Sequence, residues 1–308
     1  MTGHSDLNKE FAISNELEFV HLTDNFPVAQ VRNQYATARI ALQGAQVLTW
    51  VPRDQQPVIW LSSAAKLATG KSIRGGVPIC WPWFGAHASE AGFPGHGYAR
   101  TVPWQVLATQ HLEDGRTRLV FRLAESAATR RYWPHATPVE CQITIGPSLD
   151  ITLVTTNRSD QSITISEALH TYFEVGNIAQ VRVLGLEDCE YLDKVDAMQR
   201  KTQHGPVTIN SEVDRVYLNT RATCIIEDAA LQRRILIDKQ NSATTVVWNP
   251  WQEKAEQMGD LGDDGYRHML CVESGNAAEN TVDIVPGAQH QLAVSYRVQR
   301  WHPEANKS

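Results

Sequence analysis

Two side chains that lie far apart in the chain have the residue types needed for acid–base chemistry. His170 lies in the string SEALHTYF, and Glu273 ends the apolar run MLCV before SGN. A carboxylate at the exit of a buried strand is partly desolvated, and this raises its pKa and makes it a better base near neutral pH. Counting by two along the strand places His170 on one face with Ser166, Ala168 and Tyr172, which suits the floor of a polar cleft. An ordinary structural histidine and an ordinary strand-end glutamate remain open alternatives.

A second feature is the irregular segment from Arg74 to Arg100, RGGVPICWPWFGAHASEAGFPGHGYAR. Arginine offers a planar fork that fits phosphate or carboxylate, and glycine lets the backbone approach a ligand closely. Arg74 and Arg100, with His96 between them, therefore predict an anion site. The segment lacks the GKS/T ending of a nucleotide-binding loop. Trp81 and Trp83 could stack on a sugar or belong to the core, and the arginines could instead form surface ion pairs.

Asp214, in SEVDRVYLN, is a third candidate. Neighbouring residues of a strand face opposite sides, so Asp214 and Arg215 pair poorly and the carboxylate is free to accept hydrogen bonds from sugar hydroxyls. No metal site is predicted, because the histidines are dispersed without HxxxH or HxH pairs. No GxSxG nucleophile motif occurs either.

Composition narrows the class of protein. The chain has 308 residues and a formal net charge of −6, and no run of Lys and Arg reaches five residues. Nucleic acid is therefore not an expected partner. Five cysteines occur without a CxxC pair, which favours free thiols in a reducing compartment. The N-terminus lacks a signal-peptide pattern and no apolar run could span a membrane, so we expect a cytoplasmic protein with no membrane partner. We also expect a monomer.

Short strand patterns dominate the chain and predict an all-β fold, a large antiparallel β-sandwich with a few short helices. No composition break divides it, so residues 1–308 are expected to form one catalytic domain, with flexible ends near 1–15 and 302–308. The predicted helices are Ser62 to Thr69, Ala124 to Tyr132 and Gln252 to Met258. The predicted strands are Arg39 to Pro52, Pro57 to Leu61, Thr117 to Leu123, Val139 to Thr156, Ser162 to Val175, Val181 to Leu186, Cys224 to Asp238, Thr244 to Trp248, Met269 to Glu273 and His290 to Val298.

At these residues the chain resembles the hexose-6-phosphate mutarotases, or glucose-6-phosphate 1-epimerases, of the aldose 1-epimerase superfamily. The matching strings keep the family's order and span roughly residues 39–298. They are IRGGVPICWPWFG from Ile73, HGYAR from His96, ALHTYF from Ala168, YLDKV from Tyr191, DRVYLN from Asp214, WNPW from Trp248 and CVE from Cys271.

The resemblance implies a galactose-mutarotase-like supersandwich, with His170 and Glu273 as the catalytic pair. It implies that Arg74, Arg100, His96 and Asp214 bind the substrate, a hexose 6-phosphate. The expected reaction exchanges α and β anomers, with Glu273 as base and protonated His170 as acid, and without metal or cofactor. One departure stands out, since some relatives carry Gln just before the motif histidine where this chain has Gly95.

Three other functions stay open on the sequence. An aldose 1-epimerase acting on unphosphorylated sugar would need no arginine pair. A carbohydrate-binding protein would need no acid–base pair and would not accelerate anomer exchange. A glycoside hydrolase usually needs two flanking carboxylates, and the sequence offers one strong candidate.

Overall fold

The computed structural model describes residues 4–23 and 26–301, and the side chains from Asp6 onward within those ranges. The helices are α1 (His4–Phe11), α2 (Ala127–Tyr132) and α3 (Trp251–Glu256), with short 3-10 turns at Ala99–Thr101, Ile178–Gln180, Lys194–Asp196, Gly265–Arg267 and Ala278–Asn280. The strands are β1 (Leu17–His21), β2 (Pro27–Arg32), β3 (Ala36–Ala41), β4 (Gln46–Pro52), β5 (Ile79–Cys80), β6 (Trp104–His111), β7 (Thr117–Leu123), β8 (Val139–Ile145), β9 (Ser148–Thr156), β10 (Ile163–Ile165), β11 (Glu167–Leu169), β12 (Tyr172–Glu174), β13 (Val181–Leu184), β14 (Glu190–Asp193), β15 (Gln199–Thr202), β16 (Val207–Thr208), β17 (Val213–Leu218), β18 (Cys224–Asp228), β19 (Arg233–Gln240), β20 (Thr244–Asn249), β21 (Met269–Asn276), β22 (Val282–Ile284) and β23 (Gln289–Arg300).

Two large antiparallel sheets dominate the molecule. One has the order β16-β13-β18-β19-β23-β9-β8-β7-β6, and the other β15-β14-β17-β20-β21-β11-β5, with β12 also paired to β21. Strand β9 alternates half-buried and buried residues along its whole length, the period expected of a strand with one face on the core. Phe173 of β12 contacts Tyr296 of β23 edge to face at 5.2 Å, which joins the two sheets in one apolar core. The predicted all-β sandwich is confirmed.

The strand that carries Glu273 lies in the interior of its sheet. All eight residues of β21 are buried, as are all six of its neighbour β20. A strand covered on both faces reads as a continuous apolar run, and MLCV is such a run. A carboxylate on this strand is therefore held inside the protein by the sheet's own hydrogen bonds.

Some predicted elements differ from those observed. Residues 62–69 form turns rather than a helix, and the strand predicted over 162–175 is divided into β10, β11 and β12. Helix α2 begins after Ser126, whose side chain accepts a hydrogen bond from the Thr129 backbone N–H as an N-cap.

The N-terminal end contains a helix. Within the segment 1–15, where flexibility is predicted, α1 occupies His4–Phe11 and Leu7 packs into the main core. Asn8 holds the helix in place, because its side chain both donates to and accepts from the Phe19 backbone at 2.8 Å. The rest of that expectation, at 1–3 and 302–308, lies outside the described residues. None of the described helices has the length and apolar character needed to cross a bilayer.

Candidate active site

His170 and Glu273 meet on neighbouring segments of one sheet. His170 follows β11, which pairs with β21, and its backbone N–H donates to the Pro78 carbonyl at 2.9 Å. His170 Nδ1 lies 3.3 Å from Glu273 Oε1, and the two side chains are only 11% and 2% exposed. This contact is not a hydrogen bond, and His170 Nδ1 has no hydrogen-bond partner among the described residues. The other carboxyl oxygen, Glu273 Oε2, is also buried without such a partner. Buried polar atoms are rarely left so, which marks this pair as a candidate functional site.

The pair lies in a cavity of ≈ 340 Å³, a volume suited to a small molecule. All six residues singled out from the sequence line it. The full lining is Ser72, Ile73, Arg74, Phe84, His96, Arg100, His170, Tyr172, Lys194, Asp214, Val246, Trp248, Asp260 and Glu273.

Aromatic rings fix the orientation of the His170 imidazole. Its ring stacks on Tyr172 with centroids 4.9 Å apart and planes 8° apart, and it meets Trp248 edge to face with centroids 6.1 Å apart. Trp248 is the tryptophan of the lining, whereas Trp81 is fully buried and donates its indole N–H to Thr155 Oγ1 at 3.1 Å. Of the aromatic side chains considered from the sequence, Trp81 therefore belongs to the core.

The two arginines of the cavity are held differently. Arg74 donates from Nε to Asp260 Oδ1 and from Nη1 to the Tyr172 hydroxyl, both at 3.1 Å. Arg100 donates from Nη2 to the Gly95 carbonyl at 2.8 Å, while its buried Nε has no partner among the described residues. Arg100 is thus a cation with no carboxylate partner in the described structure and with an unused donor.

Asp214 pairs with a lysine that the sequence did not single out. Lys194 Nζ lies 2.9 Å from Asp214 Oδ2, with the two side chains 37% and 13% exposed. The prediction that Asp214 avoids its neighbour Arg215 agrees with the structure, in which Arg215 donates to Gln203 Oε1 instead. The cavity therefore holds three cations and three carboxylates.

The pKa values of His170 and Glu273 are shifted in opposite directions from those of the free side chains. Burial lowers the pKa of His170 well below its usual value, helped by His96 and Arg100. Burial raises the pKa of Glu273 well above its usual value, and Asp214 adds to this. These directions favour a neutral imidazole facing a protonated carboxyl group, and a charged imidazole at His170 stays a prediction. Desolvation is the main cause, and the nearby His96 and arginines add to it for His170.

His96 is placed by an unusual backbone. It adopts φ 64°, its backbone N–H donates to the Gly85 carbonyl at 2.6 Å, and the following Gly97 has φ 71°. A Cβ on Gly97 would lie 1.9 Å from the Trp81 carbonyl oxygen, so only glycine fits there. Burial, together with Arg100 and Lys194, lowers the pKa of His96 to about 3. A neutral imidazole at this position can accept or donate a hydrogen bond to a sugar.

Comparisons with known proteins show which family the chain is similar to. The family model for aldose 1-epimerase matches residues 27–297. A protein of Escherichia coli K12 named "Putative glucose-6-phosphate 1-epimerase" is 39% identical over 276 residues, 89% of this chain and 91% of the relative. The crystal structure of "a putative mutarotase (YeaD)" from Salmonella typhimurium is 36% identical, with a TM-score of 0.88 over 94% of this chain and 96% of that one. A galactose mutarotase-like protein of Clostridium acetobutylicum, 14% identical, shares the fold with a TM-score of 0.70 over 95% of this chain and 100% of that one.

The family match extends over both large sheets and the whole cavity. The chain belongs to the aldose 1-epimerase family. The resemblance noted from the sequence strings is confirmed, and so is the galactose-mutarotase-like fold class.

The cavity of this aldose 1-epimerase family member also contains polar side chains that were not assigned a role from the sequence, among them Tyr172, Lys194 and Asp260. Lys194 lies inside the matched string YLDKV, and Tyr172 was placed beside His170 by strand alternation without a role. Asp260 lies in the loop after α3, in GDLGDDG, where no pattern distinguishes it from the neighbouring aspartates. A partner from so far along the chain could be found only in three dimensions.

Three potential metal donors also come together here. One ligand atom each from His170, Cys271 and Glu273 lie within 4.8 Å of one another. Burial and the nearby Glu273 raise the pKa of the Cys271 thiol well above its usual value, which disfavours the thiolate that binds metals. The arginines and Lys194 add positive potential to the same cavity. The absence of a metal remains a prediction from the sequence.

Proposed function

We propose that this protein interconverts the α and β anomers of a hexose 6-phosphate, with glucose 6-phosphate as the first candidate. One observation carries the proposal. A buried imidazole and a buried carboxyl group, 3.3 Å apart, share one cavity with two arginines. The name of the E. coli relative contains the same substrate.

The reaction needs two proton transfers and no redox step. A base takes the proton of the C1 hydroxyl while an acid gives a proton to the ring oxygen O5, the C1–O5 bond breaks, and C1 becomes an aldehyde. Rotation about C1–C2 presents the other carbonyl face, and the reverse transfers close the ring with C1 inverted. Each acid or base group typically contributes about 10²–10⁴-fold to the rate.

We assign Glu273 as the base and His170 as the acid during ring opening. The proton must therefore move to the imidazole when substrate binds. A substrate phosphate beside Arg74 and Arg100 supplies the reason, because it offsets two of the cations that lower the pKa of His170. Ring closure reverses both transfers, so each group donates once and accepts once in a full conversion.

Different cavity residues are assigned to different parts of the substrate. We assign Arg74 and Arg100 to the 6-phosphate, since charge-assisted contacts from arginine are roughly twice as strong as neutral hydrogen bonds. His96 and Asp214 are assigned to sugar hydroxyls, and Trp248 offers a ring at the cavity wall. Anchoring at the phosphate end would orient C1 and O5 towards the catalytic pair.

The decisive experiment measures α to β exchange of glucose 6-phosphate by NMR exchange spectroscopy. We expect His170→Ala and Glu273→Gln each to reduce the rate about 10²–10⁴-fold while the thermal unfolding transition persists. His204→Ala and Glu253→Gln are matched controls, because both side chains are exposed and neither lines the cavity. Near wild-type exchange in either of the first two variants would refute the assignment.

The rival functions give different results in the same assay. A carbohydrate-binding protein would show affinity for the sugar without faster exchange. An enzyme for unphosphorylated sugar would handle glucose and glucose 6-phosphate with equal efficiency, and Arg100→Gln would leave their ratio unchanged.

Three further assignments belong to the same proposal. We propose that residues 1–308 act as one catalytic domain, as a monomer, and in the cytoplasm. The core residues join both sheets in one cluster, which supports the first. Five free cysteines, four of them buried, support a reducing compartment. Size-exclusion chromatography with light scattering checks the monomer.

A further inference from the structure

A second cavity, apart from the candidate active site, is lined by basic and neutral side chains. Its volume is ≈ 390 Å³, and it is bounded by Arg221, Lys239, Asn241, Ser242, Ala243, Asn276 and His290. None of these residues lines the cavity that holds His170 and Glu273. No carboxylate belongs to the lining.

Lys239 is a charge without a counter-ion. It lies near the end of β19, on the same face of the strand as the buried Ile237, and its Nζ donates to Thr220 Oγ1, Thr245 Oγ1 and the Thr244 carbonyl at 2.7 to 3.0 Å. All three acceptors are neutral, and the described residues provide no ion pair for this ammonium. The adjacent Asp238 belongs to the opposite face of the strand, where it pairs with Arg297.

The other charges around the cavity leave its potential positive. Arg221 follows Thr220 in the chain, its side chain is exposed, and it has neither a hydrogen bond nor an ion pair among the described residues. His290 Nε2 lies 2.8 Å from Glu167 Oε1, a carboxylate that is fully buried behind the lining. His290 is thus paired with Glu167, whereas the cations Arg221 and Lys239 have no carboxylate partner among the described residues.

We infer that this cavity binds a small phosphate-class oxyanion, with Arg221 donating hydrogen bonds to it and Lys239 supplying a second positive charge. Two cations without carboxylate partners match a dianion, and the guanidinium fork fits its oxygens bidentately. Asn241 and Ser242 add polar groups at the rim. The ligand can be inorganic phosphate or the phosphate group of a metabolite, since the cavity volume lies in the range of small-molecule sites.

The titration of Lys239 agrees with an anion site. Burial lowers the pKa of Lys239 to about 8, and the described residues provide no carboxylate partner that would offset this effect. A bound dianion would supply that missing partner and raise the pKa again. The lysine is still mostly protonated at pH 7, so the site carries its charge under ordinary conditions.

The test counts phosphate sites on the intact protein. Equilibrium dialysis against radiolabelled inorganic phosphate at pH 7 and low ionic strength is expected to give two sites per chain. Arg221→Gln should weaken one of them roughly tenfold, the loss of one charge-assisted hydrogen bond, and should leave anomer exchange unchanged. Arg100→Gln should weaken the other site. Lys239→Gln, checked for folding by thermal unfolding, should act on the same site as Arg221→Gln.

The outcomes separate this site from the proposed activity. A single phosphate site that is lost in Arg100→Gln and unaffected by Arg221→Gln would overturn the inference. Two sites of which Arg221→Gln removes one would support it, even if Arg100→Gln changed nothing and the phosphate role of the active-site arginine failed. Repeating the dialysis with competing glucose 6-phosphate then tells whether inorganic phosphate or a sugar phosphate binds better at Arg221.

Discussion

On the proposed assignment of Arg74 to the substrate's phosphate, Asp260 would compete with that phosphate. Its Oδ1 accepts a hydrogen bond from Arg74 Nε at 3.1 Å, so a carboxylate already occupies one edge of the guanidinium fork. A phosphate that approaches Arg74 therefore meets a fixed negative charge. We expect Asp260→Asn to strengthen the binding of glucose 6-phosphate, because the amide oxygen can still accept the hydrogen bond while the repulsion is removed.

The size of the expected change in KM depends on how exposed the Arg74 and Asp260 side chains are. Arg74 is 24% exposed and Asp260 30%, so water partly screens their charges. Two unit charges 4 Å apart interact by about 1 kcal/mol in bulk water and by about 4 kcal/mol at the effective dielectric constant near a protein surface. With the lower figure, and 1.4 kcal/mol for a factor of ten, KM for glucose 6-phosphate should fall roughly fivefold. Arg74 stays oriented in the variant because its Nη1 still donates to the Tyr172 hydroxyl.

The assay compares KM for glucose 6-phosphate and for glucose in wild type, Asp260→Asn and Asp263→Asn. Asp263 is exposed, lies in the same loop and does not line the cavity, so its variant removes an equal formal charge without touching Arg74. The effect should be specific to the phosphorylated sugar and to position 260. A higher KM in Asp260→Asn would refute the reasoning and make Asp260 a positioning residue for Arg74. Equal shifts in the two variants would show a general charge effect.

Two further predictions concern stability. The folded protein keeps His96 neutral down to about pH 3, whereas the unfolded chain protonates it near pH 6.5, so this residue stabilises the fold above pH 6.5 and the contribution is lost as the pH falls. Asparagine tolerates the positive φ at position 96. Between pH 6 and pH 5, the free energy of unfolding measured in urea should therefore fall by about 1 kcal/mol less in His96→Asn than in wild type. Equal pH dependence of the unfolding free energy in the two proteins would contradict this. Gly97→Ala should fail to fold or lose several kcal/mol, whereas Gly95→Ala should change stability by less than about 0.5 kcal/mol, since a Cβ there has its nearest neighbour at 3.9 Å. Comparable unfolding temperatures for the two alanine variants would refute the second prediction.

The sequence predicts the fold well where the hydrophobic pattern is regular. The alternation in TRLVFRL and in the hairpin around GPSLD reappears as β7, β8 and β9. The pattern fails where the strands are very short or polar, as in β15 (QRKT), whose residues are exposed or half-buried and give no periodic signal. Residues 62–69 have helix-forming composition but form turns, in which Ala65 and Leu67 pack against a small apolar cluster; so short an apolar segment does not by itself stabilise a helix.

The candidate site, like the fold, could be predicted only in part from the sequence. His170, Glu273 and the arginines stand in strings that a family resemblance identifies, and the fold brings them into one cavity. Their ionisation could not be predicted, because it depends on burial and on charges that come from other segments. Lys194 belongs to a turn after β14 and Asp260 to the loop after α3, and only tertiary packing sets them beside Asp214 and Arg74.

The inverted pKa values of the catalytic pair fit a reaction that must run in both directions. In water an imidazole near pKa 6.5 holds a proton in preference to a carboxylate near 4.3, a bias of roughly 3 kcal/mol. Burial lowers the pKa of His170 and raises that of Glu273, which removes this bias. A bound dianion then shifts the balance back towards the imidazole. On the proposed mechanism, the proton would be held between these two states, so that neither ring opening nor ring closure would begin from a deep energy minimum.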